Sequence, residues 1–349
     1  MVSKAHFAAR ICKVLEVIMD NSLYFVGADI ALKKFDAAIR LDGNRYKHKV
    51  FANTPEGFTA FHAWLQGFGS HFHILMEATN VYHEDLADYL LVQGLTVSVI
   101  NPRCIPNFAK STNMRSKTDK VDARLLADYA YCNSARLRKY APLATNYRTL
   151  KRLMRQLTHL KKIIAKEQVR IQMMMDALCV EISQEIIAGT KALAKELEKK
   201  IKELVKEDKV LSRNAQLLQS IPAVGWMSAM YLLSHLGDGS RFRNSKAAAT
   251  YMGLTPIVKQ SGDSLHIVSG ISKMGPRDIR DVLYAPAMSY AFGPWKERVY
   301  APFVQRLTAN GKAPKEVIVA LMRKLVSIAQ AVLQHQRPFD SAILVGKAA

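Results

Sequence analysis

Apolar and polar residues alternate with a period of two over Leu23–Ile30: Val26, Ala28 and Ile30 fall on one side, Gly27 and Asp29 on the other. That period predicts a strand. Phe35 to Leu41 and Arg45 to Phe51 read as two more strands, joined at Asp42-Gly43-Asn44, a hairpin turn signal. A helix from about Pro55 to Gln66 follows, with Pro55 suited to its first turn. Next come a fourth strand, His73 to Ala78, a helix from about Tyr82 to Gln93, and a fifth strand, Thr96 to Ile100, which Pro102 stops. A basic, helix-poor loop then leads to a helix that opens near Asp119. Three strands in meander followed by strands alternating with helices predict a mixed α/β sheet.

After residue 146 the period changes to three and four. Leu150, Leu153, Leu157, Leu160 and Ile164 form a stripe that continues to Ile171, Met174 and Leu178. Leu193, Leu197, Ile201, Leu204 and Leu211 form a second stripe beyond Gly189. Two long helices with such seams predict a coiled-coil hairpin or a dimer contact. Leu217 to Gly225 followed by Trp226 to Leu236 resembles a helix-hairpin-helix, with Ala223 where the first Gly is usual. In that motif a tight turn presents backbone amides to phosphate, which makes Gly225 a candidate nucleic-acid contact. A last amphipathic helix runs from Ala313 to Leu333. The expected organisation is therefore a helical extension (1–22), an α/β domain (23–140), a coiled-coil connector (141–212) and a mostly helical C-terminal domain (213–349).

Charge narrows the function. The formal net charge is +21, and each segment carries a basic excess. A polyanion touched by several domains at once, most simply nucleic acid, suits that distribution. No apolar run approaches the length of a membrane-spanning helix. The four cysteines are scattered, without zinc spacing or a disulfide framework, and no signal peptide is apparent. The expected setting is a reducing cytoplasm, with action at the nucleoid. His71 and His73 alternate on a strand and read as packing residues.

The candidate chemistry lies in the acids. Asp119 and Asp122 are three apart at a helix start and share one face, among the basic Lys117, Lys120 and Arg124. Asp29 and Glu77 fall at the C-terminal ends of predicted strands, where ligands gather in open α/β sheets. Four carboxylates brought together carry a large electrostatic cost unless cations neutralise them. Mg²⁺ takes hard carboxylate oxygens and leaves room for phosphate, so Asp29, Glu77, Asp119 and Asp122 are expected to be its ligands.

Three segments carry a resemblance: Gly-Ala-Asp-Ile-Ala-Leu-Lys (27–33), Met-Glu-Ala-Thr-Asn-Val-Tyr (76–82) and Lys-Thr-Asp-Lys-Val-Asp-Ala (117–123). They resemble the insertion-sequence transposases with an Asp-Glu-Asp-Asp motif, the family related to the pilin-gene invertase. Gly-Leu-Thr-Pro (253–256), Gln-Ser-Gly (260–262) and Ile-Ser-Lys-Met-Gly (271–275) match the family's C-terminal domain in order. Asn80 and Pro276 depart from it, standing where Gly and Asn are common. The resemblance implies an RNase H-like (RuvC-like) N-terminal domain and a DNA transposase or recombinase that breaks and rejoins strands. It implies Ser261 as the nucleophile of a phosphoserine intermediate, set among Lys259, Lys273, Arg277 and Arg280. It also implies a structured non-coding guide RNA that pairs with element ends and target, acting with a homo-oligomer (dimer or tetramer). Two other readings remain open here: a Mg²⁺-dependent junction resolvase using water, and a non-catalytic architectural nucleic-acid-binding protein.

Overall fold

The alternation around Asp29 is realised as strand β1 (Leu23–Ile30), the middle strand of a five-stranded sheet. The computed structural model describes residues 22–42, 45–78, 81–112, 118–261, 265–295 and 300–340, with the backbone alone over 258–261 and 265–269. These residues form two units divided between Pro142 and Leu143.

In the first unit, β1 pairs antiparallel with β2 (Lys34–Arg40), and β2 with β3 (Tyr46–Ala52). On its other edge β1 runs parallel to β4 (His71–Glu77), which runs parallel to β5 (Thr96–Ile100). The strand order is thus β3-β2-β1-β4-β5, the mixed α/β sheet expected from the patterning. Helices cover both faces, because alternate strand residues point to opposite sides. Helices α1 (Pro55–Gln66) and α2 (Glu84–Val92) bury Phe58, Phe61, Leu65, Leu86 and Leu90 against Phe35, Ile74 and Val97. On the other face Leu75 meets Leu125, Leu126 and Ala130 of α4 (Asp119–Cys132).

One expectation is corrected here. The stretch read as a helix-poor loop contains helix α3 (Cys104–Ser111). Ile105 and Phe108 are three apart and join the Leu125–Leu126 cluster, so tertiary burial outweighs the basic, Pro-bearing composition. Lys117 lies outside the described residues, as does the extension up to residue 21.

The second unit is mostly helical. Helix α5 (Thr145–Ile171) packs along α6 (Ala177–Glu207). The break between them differs from the expected one. Asp176 caps α6, accepting from the amides of Leu178 and Cys179 at 2.9 and 3.2 Å, so the turn comes at 172–176. Gly189 sits inside α6, where a Cβ would meet open space. After α7 (Lys209–Gln219) and α8 (Trp226–Leu236), α9 (Ser245–Tyr251) leads into a two-stranded hairpin absent from the sequence reading, β6 (Pro256–Ser261) and β7 (Leu265–Ile271). Helices α10 (Arg277–Phe292), α11 (Ala301–Ala309) and α12 (Pro314–His335) complete the unit. One continuous core joins Leu150, Met154 and Leu157 of α5 to Leu232, Leu283, Leu321 and Leu325, so the long α5 helix shares its buried face with the C-terminal helices.

Candidate active site

Asp29 is the penultimate residue of β1 and Glu77 the last of β4. The parallel register sets Ala28 beside Met76, which brings the two acids level at the same end of the sheet. Asp119 and Asp122 occupy the first turn of α4, and Thr118 caps it by accepting from the Val121 amide at 3.3 Å. The helix dipole favours acids there, so both carboxylates are compatible with the local structure.

Helix α4 reaches the sheet through Gly27. A Cβ built on Gly27 would stand 2.1 Å from the Ala123 carbonyl oxygen and 2.5 Å from the Ala127 nitrogen. Only a glycine lets the helix backbone approach this closely. Farther along, Asp128 accepts from Arg40 Nη1 and Tyr46 Oη, both at 2.6 Å, pinning the helix to β2 and β3. Arg40 also stacks on Tyr131, 4.1 Å from the ring centroid. The acids of α4 are thus held by contacts made elsewhere on the helix.

Electrostatically the four acids form one group. Burial pushes the Asp29 carboxyl up to about 6, and the charges of Asp122, Glu77, Asp119 and Asp36 push it in the same direction. Asp36 is a fifth acid that the sequence reading missed. It pairs directly across from Asp29 in the β1–β2 register and is 5% exposed. His48 Nε2 lies 2.8 Å from Asp36 Oδ1, and Lys34 Nζ donates to Asp36 Oδ2 at 3.2 Å. The same ammonium donates to Asp119 Oδ2 at 2.9 Å. Its hydrogen bond and charge hold Asp119 below the usual carboxylate range.

In kind these donors fit a hard divalent cation: all are carboxylates, and Asp29 is raised first by burial and then by the neighbouring acids. Among the described residues, no three His, Cys, Asp or Glu side chains are already gathered as a metal-binding group. Lys34 instead provides the positive charge at Asp119. Lys120 is exposed, and Arg124 is half-buried with its guanidinium 5.4 Å from the Tyr46 ring centroid. His73, expected as a packing residue, is buried with Nε2 2.7 Å from Ser98 Oγ.

The remaining candidates lie in the second unit. Ser261 ends β6 and pairs in register with Leu265; its side chain and that of Lys259 lie outside the described residues. Gly262, the last residue of the Gln-Ser-Gly match, lies outside them too. Lys273 follows β7, exposed and at φ 52°. Arg277 opens α10 and is exposed. Arg280 Nη1 donates to the carbonyls of Met252, Gly275 and Pro276 at 3.0, 2.9 and 2.9 Å. A Cβ on Gly275 would stand 2.1 Å from the Tyr251 carbonyl oxygen. Gly-Leu-Thr-Pro and Ser-Lys-Met-Gly are therefore two sides of one backbone knot at the open end of the β6–β7 hairpin. In the hairpin-like turn, Ala223 adopts φ 57° and Tyr290 Oη donates to the Pro222 carbonyl. Gly225 is the N-cap of α8.

Comparison with known proteins adds the family. Residues 26–180 match a transposase model of the DEDD type named for IS110, and residues 215–301 match the model "Transposase IS116/IS110/IS902 family". The chain is 35% identical over 325 residues to the pilin gene-inverting protein of Moraxella bovis, covering 91% of this chain and 98% of that protein. The pilin gene-inverting protein of Moraxella lacunata gives the same figures. A transposase for insertion sequence element IS1111A from Coxiella burnetii is 28% identical over 121 residues, 35% of this chain and 32% of that one. With both segments matched and a relative aligned almost end to end, the chain belongs to the IS110/IS116/IS902 family of transposases.

Proposed function

We propose that this transposase cleaves and rejoins DNA strands through a phosphoserine intermediate at Ser261, with Mg²⁺ held by Asp29, Glu77, Asp119 and Asp122. The observation that carries the metal assignment is Asp29, whose carboxyl is raised to about 6 by burial together with the charges of Asp122, Glu77, Asp119 and Asp36. A fold has no use for that repulsion unless a cation relieves it. The mixed sheet, with acids at matched ends of β1 and β4, supports an RNase H-like domain. When bound, Mg²⁺ would lower the pKa of the attacking hydroxyl and balance charge on the leaving oxygen.

The chain's own residues do the rest. The backbone packing at Gly27 and the Asp128 contacts keep Asp119 and Asp122 in register with Asp29. Ser261 Oγ forms a bond to phosphorus as the bond to the departing strand breaks, and the departing oxygen takes up a proton. Attack by the hydroxyl of a second strand reverses this and frees the serine. No helix-turn-helix, zinc finger or basic zipper pattern is apparent in the sequence, and the family resemblance implies that a structured guide RNA supplies target choice while the basic chain supplies backbone contacts. A homo-oligomer is the working assembly.

The test is covalent capture. Labelled DNA incubated with protein and Mg²⁺ gives a denaturant-stable adduct in wild type and none in Ser261→Ala, while Ser264→Ala, Ser269→Ala and Ser272→Ala retain it. Hydrolytic nicks without any adduct would favour attack by water and remove the serine from the mechanism.

A further inference from the structure

Away from the acids, the second unit holds a polar cleft of about 250 Å³ between α5 and the start of α10. Its lining is Arg155, Thr158, His159 and Lys162 from α5, with Arg277 and Asp278 from α10. Residues 155, 159 and 162 are spaced i, i+4, i+7, so they form one stripe along α5. Three basic residues of α5 thus stand around a concavity, opposite a fourth basic residue on α10.

The sole carboxylate in that lining is already committed. Asp278 Oδ2 lies 3.2 Å from Nε2 of His235, which is 3% exposed. Burial pushes the Asp278 carboxyl up, but the His235 bond and charge, the Ile279 amide and Arg155 outweigh it and hold it low. Thr158 is also committed, donating to the Met154 carbonyl at 2.8 Å and lying 2.7 Å from Tyr231 Oη. His159, Lys162 and Arg277 remain exposed at the rim, with Arg277 also reaching Asp281 at 3.3 Å. Lys161, the next residue to Lys162, points to α6 and pairs with Glu198 at 2.9 Å. The α10 N-terminus has no side-chain cap, so its dipole adds to the positive field of the cleft.

We infer that this cleft binds a backbone phosphodiester of a nucleic-acid strand, with Lys162 and Arg277 as rim contacts and Arg155 as the cation at its base. The inference deepens the reading of the chain as a transposase and rests on it. Size and lining select this ligand class. Organic ligand pockets span roughly 300–1,000 Å³; this cleft is smaller, and every residue lining it carries a polar or charged side chain, four of them basic. A phosphate with its sugar fits that space, and Arg provides the forked donors that match phosphate oxygens.

The test is the salt dependence of binding, measured on the full chain in EDTA so that cleavage plays no part. Labelled duplex DNA, single-stranded DNA and RNA of one sequence are titrated with wild type, Lys162→Gln, Arg277→Gln, the double variant and Lys199→Gln. Lys199 lies on α6, exposed, 3.9 Å from Glu203, and makes an equal-charge control. Each lost phosphate contact lowers the slope of log K against log salt by about one and weakens binding about tenfold near 0.1 M salt. The expected result is a loss in both single variants that adds in the double variant, with Lys199→Gln at wild type and circular dichroism unchanged. Loss on the DNA arms places a DNA strand in the cleft, and loss on the RNA arm alone places an RNA strand there; either supports the site. Wild-type slopes in the double variant, or equal losses in the control, overturn the cleft and leave the transposase reading intact. A wild-type chain that binds none of the three overturns both.

Discussion

Gly27→Ala isolates the mechanical link between the sheet and the acids, since it adds one methyl group and touches no charge. The added Cβ would lie 2.1 Å from the Ala123 oxygen, 2.5 Å from the Ala127 nitrogen and 2.6 Å from Leu126 Cβ. Ordinary contact is about 3.5–4.0 Å, and two of these neighbours are backbone, so no rotamer change relieves the clash. Helix α4 must move off β1 by an ångström or more. Overpacking of this kind costs about 1–3 kcal/mol, and the upper end applies where backbone must shift. That is a large fraction of the roughly 5–15 kcal/mol of an average domain, but less than all of it, so the unit should still fold. Asp119 and Asp122 ride on the displaced helix, and a misplacement of about 1 Å at a reacting centre costs on the order of 100-fold in rate. Hydrogen exchange over residues 119–132 of the full chain, with a strand-cleavage assay in Mg²⁺, reads both effects. Faster exchange in α4 and cleavage reduced about 100-fold are expected, with the second unit unchanged. Wild-type exchange and cleavage together would refute the claim that close approach at Gly27 positions the acids.

Three further outcomes follow from the same geometry. Asp122→Asn keeps the size and removes a charge beside Asp29, so cleavage should fall by orders of magnitude while the metal-free melting temperature holds or rises; normal cleavage in Mg²⁺ would remove Asp122 from the site. Asp29, raised to about 6 in the fold against about 3.9 unfolded, contributes stability fully below pH 4 that is lost as pH rises through 6. The full shift corresponds to about 3 kcal/mol, which partial solvent contact reduces to about 1–2; in EDTA, Asp29→Asn should therefore gain on wild type between pH 4 and 7, and a gap that does not change with pH would contradict this. Ala223→Gly removes the left-handed strain at φ 57° and should stabilise the second unit by about 0.5–1 kcal/mol in denaturant melts, whereas a loss would mean that the Ala223 methyl packing outweighs the strain.

The sheet was legible because its strands are short runs bounded by turn signals, although β2 and β4 are buried on both faces and show no alternation of burial. The period of two at Val26, Ala28 and Ile30 needs no partner to be read, and the order of strands and helices then leaves few topologies. Helix α3 was illegible for the opposite reason. Ile105 and Phe108 are its main apolar anchors, and their value depends on a pocket made by Leu125 and Tyr129 some twenty residues on. The break at 172–176 was hidden because Met174 continues the heptad spacing, while the cap that stops it, Asp176, is a single polar residue that sequence alone cannot distinguish from a solvated one. Hairpin β6–β7 follows Thr-Pro and surrounds Gly262, signals that also fit an ordinary loop.

Asp29, Glu77, Asp119 and Asp122 stood out in the sequence, and the counter-charge beside them did not. Lys33 and Lys34 are adjacent, and a strand sends neighbours to opposite faces, so composition cannot say which one meets the acids. The register decides: Ile30 pairs with Phe35 and Asp29 with Asp36, which places Lys34 on the face of Asp36 and within 2.9 Å of Asp119. Asp36 escaped notice because its partners depend on the register: it lies across from Asp29, and His48 reaches it diagonally from its place opposite Ala38, so the sequence does not show that it is buried and adds to the field on Asp29. The cluster therefore concentrates negative charge within a chain of net +21. The long-range field of that chain draws a polyanion in, but a phosphate arriving at Asp29, Glu77, Asp119 and Asp122 meets like charge at short range. One lysine shared between Asp119 and Asp36 cannot balance both the acids and an incoming phosphate. A divalent cation between them can, which is why the proposed Mg²⁺ belongs to the joint site of protein and strand rather than to the protein alone.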